Sequence, residues 1–141
     1  GKDLGQLHYL IDKYDLNTHV TYKGKVENAT YKKELLDYDF FLQLSHSEGL
    51  SASVIEAQSY GLPAIISNSG GLPETIIDGQ SGFCVDAWDV KKAADYIMLL
   101  AGDKEKYNQF SDKAIQFSNS NFTTQIEVDK LLKLYHQLNN E

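Results

Sequence analysis

Apolar positions recur along this chain at two periods, and segments of the two kinds alternate. Leu4, Leu7, Leu10 and Ile11, with His8 among them, return at helical spacing and predict a helix over 4–15. Leu16 to Thr18 makes its exit turn. His19 to Lys25 (HVTYKGK) sets Val20 and Tyr22 two apart in a β-rich stretch, which predicts a strand ending at Gly24. Asn28 is the expected N-cap of a short helix over 29–38. Asp39 to Ser45 (DFFLQLS) is a compact apolar run and predicts a buried strand, followed by a loop to Leu50. Ser51 to Tyr60 predicts a helix, stopped by Gly61 with Pro63 just beyond. Ala64 to Ser67 reads as a second short buried strand.

The second half continues the alternation. Asn68 to Pro73 is a turn cluster around Gly70-Gly71, with a short helix over 73–77 after it. Residues 78–82 (DGQSG) form another turn, more hairpin-like than site-like, and Phe83 to Val85 a short strand. Asp89, Asp103 and Thr123 open helices over about 90–100, 103–118 and 123–138. Tyr107, Phe110 and Phe117 lie at helical spacing and predict packing; Ile126, Leu131, Leu134 and Leu138 make a similar stripe on the last helix. Strands alternating with helices imply an α/β fold with a mostly parallel sheet. Such sheets place ligands outside the carboxyl ends of their strands, which selects the loops after Ser45, Ser67 and Val85.

Composition narrows the function classes. At 141 residues the chain has one domain's length and can bury about 68–70% of its unfolded surface. Its hydrophobic fraction of 42% and charged fraction of 23% are those of a globular protein. The longest stretch with little charge, Gly49 to Gly71, is broken by Glu56, Gly61 and Pro63 and falls short of a membrane span. No signal-peptide pattern is visible. Cys84, the single cysteine, excludes an internal disulfide and a cysteine-based zinc site; it reads as a core residue of its strand and is compatible with a reducing compartment. No His–Asp or His–Glu spacing points to a metal, so no metal site is expected. A Gly-x-Ser-x-Gly elbow is absent as well.

Charge changes the picture further. Thirteen basic residues against twenty acidic ones give −7, and all thirteen are lysines. A nucleic-acid surface, which needs a basic patch, is not expected. From Glu34 to Asp89 there is no lysine, whereas Glu34, Asp37, Asp39, Glu48, Glu56, Glu74, Asp78, Asp86 and Asp89 all fall in that stretch. An anion bound there must be held by backbone amides, a helix dipole or cations from elsewhere.

The loop and helix SHSEGLSASVIEAQSYGLP meet that demand. Gly49 allows close backbone approach, and the small residues Ser51, Ala52 and Ser53 open the helix. Its first amides are unpaired and carry the positive end of the dipole, a site suited to phosphate; an ordinary serine-capped turn fits the same residues. Glu48 and Glu56 bracket this helix start. A carboxylate is a two-point acceptor for vicinal hydroxyls, so the pair suits a ligand with a ribose at one end and a sugar at the other. On spacing alone, Glu56 also fits a surface helix position and Glu48 a charge offsetting the dipole, and a glycosidase carboxylate pair is not excluded. NSGGLPE again brings backbone close, as a ligand loop or a plain turn, with Asn68 and Glu74 placed to cap or to contact. His46, next to the helix start, can meet a phosphate or an acceptor; His8, His19 and His136 are scattered and read as surface or structural.

The ordered set Ser45-His46-Ser47-Glu48-Gly49-Leu50-Ser51, Glu56-Ala57, Gly61-Leu62-Pro63, Gly70-Gly71-Leu72-Pro73-Glu74, Asp78-Gly79 and Gly82-Phe83 resembles the C-terminal domain of retaining glycosyltransferases of the GT-B fold, family 4. The resemblance covers nearly the whole chain: Val20 to Lys25 is similar to that family's V-x-F-x-G strand and Phe122 to Leu138 to its terminal helix. It implies a single Rossmann-like nucleotide-sugar-binding domain over 1–141, the C-terminal half of a GT-B fold, incomplete at its N-terminus. Glu48 matches the first Glu of the Glu-x7-Glu motif, which faces the donor sugar and is the catalytic candidate; Glu56 matches the second, which holds the ribose hydroxyls. Gly49, Leu50, Ser51 and Ala52 match the segment whose backbone amides meet diphosphate and sugar. Ser51 often has glycine or proline counterparts, so no side-chain role is implied for it. Gly70 and Gly71 match a structural turn near the cleft.

The implied function is transfer of a sugar, with retention, from a UDP, GDP or ADP sugar to an acceptor in polysaccharide, glycolipid or glycoconjugate synthesis. The route is front-face, with the leaving diphosphate helping to deprotonate the acceptor, so the resemblance implies neither a carboxylate nucleophile nor a cofactor. Nothing here matches the family's Arg–Lys diphosphate clamp or its N-terminal acceptor domain. The expectation is therefore a truncated piece whose missing strands lie between 19–25 and the rest, with exposed sheet edges, marginal stability or self-association. The carbohydrate or lipid-linked acceptor would reach it through the missing domain. A cytoplasmic location is implied, peripheral on the inner membrane face in many relatives, whose basic N-terminal surface this chain lacks. Rival readings are a non-catalytic nucleotide- or sugar-binding module and a nucleotide-sugar epimerase of the same fold.

Overall fold

The computed structural model describes residues 3–138. The chain divides into two compact units between Lys32 and Lys33. Helix α1 (Leu4–Lys13) lies before the division, and α2 (Asn28–Glu34) runs across it. α1 stops two residues short of the expected end because Asp15 turns left-handed at φ 52°, and the Leu16 amide returns to the Ile11 carbonyl at 2.9 Å. That bond and the Asp15 amide to Asp12 carbonyl bond close a Schellman cap. Asn28 begins α2 itself, where a cap before the helix was expected, and the helix tightens into a 3₁₀ turn over Leu35–Asp37.

The strand expected over 19–25 does not form; residues 20–24 have no regular structure. A strand is a pairing of two backbones, and the alternation of Val20 and Tyr22 supplies side-chain faces without a partner. Tyr22 packs edge-on against His8 instead, with ring centroids 5.9 Å apart.

The larger unit is an α/β layer structure. β1 (Phe41–Gln43), β2 (Ala64–Ser67) and β3 (Gly82–Val85) form a sheet in that order, all parallel, with Phe41 beside Ala64 and Ala64 beside Gly82. The Rossmann-like parallel sheet expected from the sequence is thus present. β1 occupies only three residues of the predicted 39–45. The helices are α3 (Ala52–Ser59), α4 (Val90–Ala101), α5 (Lys104–Asn121) and α6 (Thr124–Leu138), with a 3₁₀ turn at Leu72–Thr75 in place of the short helix over 73–77.

Caps explain where these helices begin and end. Asp89 and Asp103 each accept the amide three residues on, Lys92 and Lys106, at 3.0 Å. α3 ends in a second Schellman cap: Gly61 takes φ +83°, its amide donates to the Gln58 carbonyl at 2.9 Å, and Leu62 to that of Ala57 at 3.1 Å.

β2 is buried at all four positions, and its alternation assigns its two faces. Ala64 and Ile66 pack with Val54 of α3, Leu72 and Ile76. Ile65 points the other way, to Val85 and to Ala93 of α4. Each fully buried isoleucine contributes about 1.5–3 kcal/mol. Phe83, Leu100 and Phe110 make a third cluster with Tyr107 packed against it, so two members of the Tyr107–Phe110–Phe117 stripe pack there, while the half-buried Phe117 meets Phe122 edge-on. The stripe on α6 does not: no described residue of α6 is buried, and Leu131, Leu134 and Leu138 are exposed. Periodicity specifies a helix face, not what covers it.

Candidate functional site

Because all three strands are parallel, the loops after β1, β2 and β3 leave from one edge of the sheet. Several contacts join them there, among them the Ser67 hydroxyl donating to the Ser45 carbonyl at 2.5 Å. The Gly71 amide donates to the Glu48 carbonyl at 3.3 Å, linking the second loop to the first. The Asn68 amide donates to the Val85 carbonyl at 2.7 Å, linking the second loop to the end of β3, where the third begins. The His46 and Trp88 rings stack at 4.0 Å with 30° between planes, linking the first to the third.

Gly70 is required by this arrangement, and Gly71 fits it closely. Gly70 is left-handed at φ +55°, and a Cβ there would overlap the Glu48 carbonyl oxygen. At Gly71 a Cβ would lie 3.2 Å from the Gly49 carbonyl and the Leu50 nitrogen. The glycine pair is therefore the seat on which the Glu48–Leu50 backbone rests.

The Glu48 side chain is half-buried and held in place. Its carboxylate accepts from Gln43 Nε2 at 3.0 Å, and Gln43 Oε1 accepts from Ser51 Oγ at 2.8 Å. Ser51 Oγ accepts in turn from the Val54 amide at 3.4 Å and caps α3. The direction of this chain is set by chemistry: a carboxylate only accepts, so the amide NH2 must face it and leave the oxygen for the serine hydroxyl. The Ser51 side chain, for which the resemblance implied no role, thus ties the helix start to Glu48. Gln43 was missed from the sequence, although it is the lone polar residue inside the FFLQL run. Gln43→Leu removes both bonds and is expected to lower stability by about 2 kcal/mol in urea unfolding, at about 1 kcal/mol net for each.

The remaining residues are placed as follows. Gly49 and Leu50 are exposed in the loop, and Ala52 is the exposed first residue of α3. The amides of Ala52 and Ser53 lie in the first turn, where the helix supplies no acceptor. Glu56 is half-buried on the flank of α3, four residues beyond Ala52, about 6 Å along the axis. Asn68 has an exposed side chain and uses its backbone to extend the sheet edge. Trp88 went unremarked in the sequence, although it is the only tryptophan and lies in the third loop. Glu48, Gly49, Leu50, Ser51, Gly70 and Gly71 are brought into one contact set, with His46 beside it.

Cys84 is half-buried in β3, its thiol pushed up by burial first and by the Asp78 and Asp86 charges next, partly offset by Lys92. A raised thiol is a poor nucleophile, in keeping with a core role. A cleft of about 420 Å³ opens at the other end of the sheet, lined by Asp39, Phe40, Leu100, Lys104 and Tyr107 among others. Tyr107 donates there to the Asp39 carbonyl at 3.0 Å, and its hydroxyl is pushed up by burial and by the Asp39 charge. This cleft lies at the amino ends of the strands, away from the glycine-seated loops, and parallel sheets bind ligands at the opposite edge.

A family model described as glycosyl transferases group 1 matches residues 1–117. The chain belongs to the group 1 glycosyl transferases. Among curated relatives of this glycosyl transferase domain, sucrose synthase 5 of Arabidopsis thaliana is 30% identical over 141 residues, covering 94% of this chain and 17% of that protein. Sucrose synthase of Solanum tuberosum is 31% identical over 144 residues, covering 94% and 18%. The domain therefore spans under a fifth of the length of these relatives. Sucrose-phosphate synthase from Thermosynechococcus elongatus superposes with a TM-score of 0.87 at 23% identity, over 98% of this chain and 35% of that one. HepE of Anabaena, solved with UDP-glucose, gives 0.84 at 20% identity, over 94% and 36%. These likenesses bear out the expected half of a GT-B fold. Among the described residues, no helix is long and apolar enough to cross a membrane.

Proposed function

We propose that this chain is the donor-binding part of a retaining glycosyltransferase that takes a sugar from a nucleoside diphosphate. The observation that carries the reading is the seating of the Glu48–Leu50 backbone on Gly70 and Gly71, at the edge where α3 begins. The amides of Gly49 to Ala52 receive the diphosphate, which suits a stretch without lysine. Glu48, oriented by Gln43, faces the donor sugar, and Glu56 accepts from the ribose hydroxyls. Transfer with retention follows a front-face course: the departing diphosphate takes the acceptor proton as the new bond forms on the same face, and no protein nucleophile or cofactor takes part. UDP is the favoured nucleotide, because structurally similar proteins were crystallised with UDP or UDP-glucose. The acceptor is a carbohydrate or lipid-linked glycan delivered by sequence outside this chain, and the work is cytoplasmic.

Calorimetric titration of the full-length protein with UDP, GDP and ADP tests this. UDP is expected to bind, and Glu56→Ala to weaken it about tenfold, about 1.4 kcal/mol, with the thermal midpoint unchanged. Equal affinity in variant and parent would remove Glu56 from the site, and no binding of any nucleotide would sink the donor-site reading.

A further inference from the structure

Trp88 is 81% exposed in the loop between β3 and α4, yet its ring is not isolated. It stacks on His46 of the first loop at 4.0 Å, so two loops fix its plane. An aromatic surface held in one orientation costs less ordering when a ligand is laid on it than a freely rotating one. The surroundings are acidic. Asp86 and Asp89 flank it in the loop, and Glu48 is two residues from His46. The nearest lysines in sequence are engaged on α4: Lys91 pairs with Asp95 at 2.6 Å, and the Lys92 ammonium lies 5.8 Å from the Tyr96 ring centroid. A phosphate, sulfate or uronate laid on Trp88 would meet the Asp86 and Asp89 charges, with only the already engaged Lys91 and Lys92 ammoniums near in sequence. A neutral pyranose avoids that repulsion: its C–H face packs on an indole, and its hydroxyls donate to carboxylates.

We propose that Trp88, backed by His46, is a platform for a neutral sugar ring of the acceptor, beside the donor loops. The word acceptor rests on the transferase reading; the sugar contact does not. In the full-length protein, the emission difference between the parent and Trp88→Phe isolates this indole. The probes are maltose, cellobiose, lactose and chitobiose, with a sulfated heparin disaccharide as the anionic comparison. At least one neutral disaccharide is expected to shift the difference emission, with or without UDP, and the heparin disaccharide to leave it unchanged. Calorimetric affinity for the responding sugar should fall about tenfold in Trp88→Ala and be partly restored in Trp88→Phe, while UDP affinity stays that of the parent. No response to any neutral sugar overturns the platform, as does a response to the anionic sugar or to UDP alone. If neutral sugars respond while no nucleotide binds, the platform stands and the transferase reading falls. If UDP binds and no sugar responds, only the platform falls.

Discussion

Gly70→Ala is expected to abolish UDP binding and to cost the fold about 2–4 kcal/mol. Two effects add. The residue sits at φ +55°, a left-handed conformation that a Cβ makes costly by about 1 kcal/mol. That Cβ would also overlap the Glu48 carbonyl oxygen and lie 3.0 Å from its carbon, and neither atom belongs to a flexible side-chain end. Something in the backbone must shift. The Glu48–Leu50 loop is more exposed than the buried β2 strand behind Gly70, so the loop moves. It carries with it Glu48 and the approach to the α3 amides. Urea unfolding together with UDP titration measures both parts. Gly79→Ala is the control: Gly79 has φ +72° but nothing within 4 Å of a Cβ, so only the conformational cost of about 1 kcal/mol should appear. If Gly70→Ala matches that control and still binds UDP, the glycine pair is not the seat of the site.

Gly82→Ala is expected to cost about 3 kcal/mol or more, a large share of the about 5–15 kcal/mol by which domains are stable. Here the added Cβ overlaps the carbonyl oxygen of Ala64, the register partner of Gly82, and stands 3.1 Å from its carbon and nitrogen. Ala64 cannot yield as an exposed loop does. It is fully buried, paired with Phe41 on its other side, and packed in the same cluster as Val54 and Ile66. The strain therefore falls on the sheet, not on the loops. The urea midpoint should drop sharply, while UDP affinity at temperatures where the variant is still folded stays near that of the parent. A loss of affinity without a loss of stability would contradict this division of roles between the two glycines.

The features legible from sequence are those decided within a few residues. Ser51, Asp89 and Asp103 announced helix starts because a side-chain oxygen reaches the amide three residues on. Gly61 announced the end of α3 because only glycine takes φ +83° without cost. The AIIS run announced a short buried strand, and the alternation of strands with helices implied parallel pairing. Glu48 beside a helix start, and two glycines after the next strand, were equally visible.

Contacts between distant segments were not. HVTYKGK carries the β pattern and forms no strand, since a ladder needs a second backbone. The α6 stripe has the helical period, yet Leu131, Leu134 and Leu138 stay exposed, since amphipathicity does not name a partner. The Gln43 link to Glu48, the overlap that forbids a Cβ at Gly70, and the stacking of His46 on Trp88 arise only when the parallel register brings three loops to one edge. Local hydrogen bonding and side-chain period write the elements and their caps into the chain. The site is made by backbone approach between segments far apart in sequence, and that approach depends on how the strands align.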